Sequence, residues 1–67
     1  MTAETLRQAA NLMRETNRHD TTREANTLVA VAAWLDWLAP FAGHGDQDAF
    51  VVKHGLTVAR AYLGEAP

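Results

Sequence analysis

Apolar residues recur at helical spacing in three separate stretches of the chain, and no stretch alternates with the period of two that marks a strand. In the first stretch Leu6, Ala9, Ala10 and Met13 stand at i, i+3, i+4 and i+7, one stripe of a helix over about 2–17. Arg7, Gln8, Asn11, Arg14 and Glu15 fall on the other side, and Leu12 lies at the edge of the stripe. Thr2 suits an N-cap and Glu4 the positive first turn.

Asn17-Arg18-His19-Asp20 breaks this periodicity and reads as a connection. Thr21 then stands three residues before Glu24, the spacing of a capping box, with Asp20 as the alternative cap. A second helix is expected over about 21–39, stopped by Pro40, which should push Ala39 out of the α region. On it Leu28, Val31, Leu35 and Leu38 form one stripe, and Trp34, Trp37 and Phe41 form another beside it. Only Asn26 and Asp36 lend the remaining arc any polarity. A helix this apolar is either covered on several sides or has a partner outside the domain.

Ala42-Gly43-His44-Gly45 reads as a glycine loop that turns the chain back. Asp46 is placed to cap a third helix over about 46–63, with Asp48 near its start. Val51, Val52, Leu56, Val58, Ala59, Tyr62 and Leu63 share a broad apolar face of it, opposite Lys53, Thr57 and Arg60. Gly64 is positioned as the residue that ends it. The expected architecture is all-α: a single helical domain over 1–67, a three-helix arrangement with helix two central.

Composition sharpens this picture. A chain of 67 residues buries only about 60% of the surface it exposes when unfolded, and with no cysteine it cannot be stapled by disulfides. Tight helix packing or oligomerisation is left as the source of stability. The formal net charge of -2 works against a free-standing nucleic-acid binder, whose affinity comes from Lys and Arg on phosphates. Arg7, Arg14, Arg18 and Arg23 make the first third locally basic, so a dimeric nucleic-acid-associated regulator is the second reading. A recognition helix presents polar side chains to base edges, which the apolar helix two does not. The apolar run 28–42 contains Asp36 and Pro40 and is shorter than the ~20 residues of a membrane span. The opening residues do not read as a signal peptide, and a cytoplasmic location is expected.

Candidate chemistry is sparse. His44, Asp46, Asp48 and His54 invite a metal site, yet their spacing lacks the further oxygens and final Glu of a calcium loop. The two acids serve better as helix-three caps, and no metal is expected. There is no cysteine, no serine and no glycine-rich phosphate loop, and Asp36 is the one acid in apolar surroundings. No catalytic residue and no cofactor are assigned, and a small enzyme is the third reading.

Leu6-Arg7-Gln8-Ala9-Ala10-Asn11-Leu12-Met13-Arg14-Glu15, Val29-Ala30-Val31-Ala32-Ala33-Trp34-Leu35-Asp36 and Leu56-Thr57-Val58-Ala59-Arg60-Ala61-Tyr62-Leu63-Gly64-Glu65 together resemble a family. It is a family of small uncharacterised helical proteins of actinobacteriophages and their actinobacterial hosts. Those proteins commonly begin Leu-Arg-x-Ala-Ala-x-Leu-Met-Arg-Glu and end Val-Ala-Arg-Ala-Tyr-Leu-Gly-Glu. Many also carry a Pro-Gly-Pro-Trp segment and a longer insert after the first helix, both missing here. The resemblance implies a phage or prophage setting inside a bacterial host cell and supplies no catalytic residue.

The favoured function is a small protein-interaction module that binds a host or phage protein, or itself as a homodimer, through helix two. Trp34, Trp37 and Phe41 are its expected interface, since tryptophan is enriched where binding energy concentrates.

Overall fold

The computed structural model describes residues 2–42 and 49–64. It contains three α-helices, α1 (Thr2–Thr16), α2 (Arg23–Leu38) and α3 (Ala49–Leu63), with a short 3-10 turn (Ala39–Phe41) extending α2. The all-α, three-helix expectation holds, and the described residues contain no strand.

Leu6, Ala9, Ala10 and Met13 of α1 are all buried, as their spacing requires. Asn17 ends α1: both its backbone and its side-chain amide donate to the Met13 carbonyl, at 3.2 and 2.7 Å. One carbonyl freed by the helix end is thereby satisfied locally.

The start of α2 corrects the expected cap. Thr22, in extended backbone, is the N-cap, and its hydroxyl accepts from the Ala25 amide at 3.2 Å. Asp20 braces the preceding turn by accepting from the Thr22 amide at 2.9 Å. Thr21 caps nothing; the capping box with Glu24 is out of register by one residue. The cap position is set by where the backbone leaves the helix, and two adjacent threonines have equal side-chain chemistry.

Pro40 also acts differently from expectation. Ala39 remains in the α region and its amide still reaches the Leu35 carbonyl. The preference of a pre-proline residue for extended backbone is a bias, and here the chain tightens into the 3-10 turn. Proline tolerates that first turn because its missing donor has no partner to lose there. The chain becomes extended at Ala42, whose amide donates to Ala39 at 3.2 Å. At the far end Gly64 adopts a φ of 82° and closes α3, as expected. Gly43, His44, Gly45, Asp46 and Asp48, the expected loop and cap of helix three, lie outside the described residues.

The core comprises Leu6, Ala9, Ala10 and Met13 from α1, Ala32, Leu35 and Leu38 from α2, Ala39, and Val52 and Ala59 from α3. Half of these are alanines, so the helix backbones approach closely. Helix α1, not α2, is the central element: it packs extensively on both neighbours, whereas α2 and α3 meet over little surface. The reason lies in side-chain size. A stripe of Ala9 and Ala10 flanked by Leu6 and Met13 admits a helix on either side, while the bulky face of α2 fills one groove only. Gly55 of α3 lies over Leu6, and Leu63 lines one groove with Leu12 and Glu15, so α3 runs along α1 in the same sense.

Candidate interaction surface

With α1 in the middle, α2 has an outer side. Its buried positions are Ala25, Ala32, Leu35 and Leu38, while Leu28 and Val31 of the expected stripe are only half-buried. The true buried stripe is rotated toward the alanines, which a pattern drawn through the largest apolar residues misses.

The three aromatic residues of the expected interface do not act alike. Trp34 is half-buried and packs on the edge of the core. Phe41, carried by the 3-10 turn, is half-buried against the same core. Trp37 is 61% exposed. Its ring lies 5.0 Å from that of Phe41, tilted by 55°, within the range of a favourable aromatic pair. Continuation of the helical path through Pro40 is what brings these two rings together. The structure therefore unites Trp37 and Phe41 at the end of α2 and assigns Trp34 to the core boundary.

Around Trp37 the exposed positions from 26 to 40 are Asn26, Thr27, Val29, Ala30, Ala33, Trp37 and Pro40. None of them carries a charge. Asp36 lies at the margin and is held by Arg14 of α1 at 2.7 Å, and the same guanidinium donates to the Asn11 side chain at 2.8 Å. This acid thus joins two helices and leaves the outer face neutral.

Helix α3 departs further from its expected face. Val52, Gly55 and Ala59 are buried, whereas Val51 and Val58, expected inside, are about 40% exposed. Packing mainly on α1, with only the Gly55 region reaching α2, buries a narrow stripe, too narrow for all seven apolar positions. Phe50 is 71% exposed and stacks edge-on with His54 at 4.5 Å. Apolar spacing does not mark this pair, although a phenylalanine four residues before a histidine is a legible helical pair.

A shallow open groove of about 360 Å³ runs between α1 and α3, lined by Gln8, Asn11, Leu12, Glu15 and Leu63. Its one acid, Glu15, is engaged by Arg18 at 2.7 Å. Among the described residues no three His, Asp or Glu side chains come together in a way that could hold a metal. His44, Asp46 and Asp48 are outside those residues; His54 faces Phe50 and His19 is exposed in the α1–α2 connection. No described helix is long and apolar enough to cross a membrane. No protein family, curated protein or solved structure matches this chain.

Proposed function

We propose that the protein is a small interaction module of phage type that binds protein through the outer face of α2, with Trp37 as its anchor. The carrying observation is an indole left 61% exposed on a helical face without charge. A helix this apolar needs either burial on several sides or an outside partner, and α2 lies to one side of α1. Large exposed apolar patches on soluble proteins mark interaction sites. Tryptophan combines a large apolar area with a polar N–H and commonly dominates binding energy where it is found.

Trp37 and Phe41 form the contact, and Trp34 supports them from the core edge. A cytoplasmic role in a bacterial cell follows the resemblance to proteins of actinobacteriophages and their hosts. The immobilised protein should retain a protein from actinobacterial lysate, or a purified second copy. Trp37→Ser should abolish retention, whereas Arg7→Ala on the outer side of α1 should not. Equal retention by wild type and Trp37→Ser would overturn the proposal.

A further inference from the structure

The three helices are not held equally. Among the described residues α1 and α2 share the most extensive contact, and the 3-10 turn after α2 adds to it by packing on α1. The Arg14–Asp36 ion pair bridges the same two helices. The four largest fully buried side chains, Leu6, Met13, Leu35 and Leu38, all belong to this pair. Helix α3 buries only Val52, Gly55 and Ala59, with Leu56, Tyr62 and Leu63 half-buried, and it leaves Phe50, Val51 and Val58 outside. It meets α1 over one narrow stripe and α2 over very little surface. Retention of an element scales with the apolar surface it buries, so α3 is the helix that leaves most readily.

The composition of α3 decides what happens to it once it leaves. Gly55 and the β-branched Val51, Val52, Thr57 and Val58 make up a third of its 15 residues, and all five are poor helix formers. Isolated helices of about that length are marginal in water even when rich in alanine. Its helical structure is therefore maintained by docking, and release unwinds it. The α1–α2 pair loses little by the departure, because its main contact, its ion pair and its large buried side chains lie between α1 and α2 themselves.

We infer that α3 opens as one unit while α1 and α2 stay packed, and that this opening uncovers Leu6, Leu35 and Leu38. These three leucines bound the space over Gly55, so α3 is what shields them on that side. The opened chain is a minor population that presents a leucine-lined seat the closed chain hides. The device is independent of the outer face of α2, which is exposed with α3 docked.

Native-state hydrogen exchange of the full chain reads this directly, because a protected amide exchanges only through the opening that frees it. The amides of Leu56, Ala59 and Tyr62 should share one protection factor, at least about 10-fold below those of Ala10, Met13 and Leu35. Low concentrations of urea should reduce α3 protection with a shallower slope than α1 protection, since partial opening exposes less surface. Thr22→Ala, at the start of α2, separates partial from global opening. It should lower protection at Ala10, Met13 and Leu35 about fivefold and leave Leu56, Ala59 and Tyr62 unchanged. Equal protection across the three helices, or a parallel loss in all of them in Thr22→Ala, overturns the inference. Protection that declines step by step from Leu56 toward Leu63 would mean fraying of the helix end, and overturns it as well.

Discussion

Gly55 of α3 presses its backbone against the tip of Leu38 on α2: a Cβ added at 55 would overlap Leu38 Cδ1. Leu35 and Leu6 bound the same space, each with a methyl 3.6 Å from that Cβ position. Leu38 is fully buried, so its tip has little freedom to withdraw. Glycine inside a helix normally costs about 1 kcal/mol relative to alanine. Its presence here is explained by the approach of α3 over three leucines. Gly55→Ala should therefore be destabilising despite better helix propensity, by about 1–2 kcal/mol, because overpacking costs about 1–3 kcal/mol. In urea denaturation, combining Gly55→Ala with Leu38→Val should cost clearly less than the sum of the single changes. Strict additivity would mean the two positions do not compete for space.

The α2 cap separates two neighbouring threonines. Thr22→Ala should lower stability by about 1 kcal/mol, the usual cost of losing a hydroxyl cap. Thr21→Ala should stay within about 0.5 kcal/mol, because no capping bond depends on its side chain. Thermal melts of the two variants in parallel settle the comparison. A larger loss at Thr21 would restore the capping-box register.

Arg14 and Asp36 link α1 to α2, but both side chains are about 40% exposed. Solvent screens such a pair, and double-mutant cycles on exposed pairs give about 0.2–1 kcal/mol. The cycle Arg14→Gln with Asp36→Asn should return a coupling near the lower end of that range. It should shrink further in 1 M salt, where the screening length is about 3 Å. A coupling above about 2 kcal/mol would place the pair in a far less hydrated setting.

The two tryptophans should be distinguishable in dilute, monomeric protein. Trp34 packs on the core edge, so Trp34→Ala should cost about 1–3 kcal/mol, below the range for a fully buried aromatic. Trp37→Ala should cost less, about 0.5–1 kcal/mol, chiefly the lost pairing with Phe41. Acrylamide should quench Trp37 in the Trp34→Phe variant more strongly than it quenches Trp34 in the Trp37→Phe variant. Equal quenching would mean that the indoles share one environment.

Much of this arrangement was legible along the chain because it depends on neighbours within a helical turn or two. Leu6, Ala9, Ala10 and Met13 announce the buried side of α1, and Gly64 announces the end of α3. Trp37 is exposed at the outer side of α2. Spacing alone could not separate it from Trp34 and Phe41, since residues 34, 37 and 41 share a helical side whatever covers that side. Periodicity states which residues lie together; it does not state how wide a neighbour is.

Which helix occupies the middle depends on contacts between segments far apart along the chain. The answer depends on Ala9 and Ala10 admitting close approach on two sides of α1, and on Gly55 letting α3 descend onto Leu6 and Leu38. Both are effects of small residues, which carry almost no hydrophobic signal in a sequence, yet they set how near two backbones can come. From that one choice follow the rotation of the buried stripe of α2 toward Ala25 and Ala32, the exposure of Val51 and Val58, and the neutral outer face around Trp37. Local hydrogen bonding and side-chain periodicity are enough to give three helices and the ends of α1 and α3 at Asn17 and Gly64. Close packing, a property of pairs of surfaces distant along the chain, determined which faces remain on the outside.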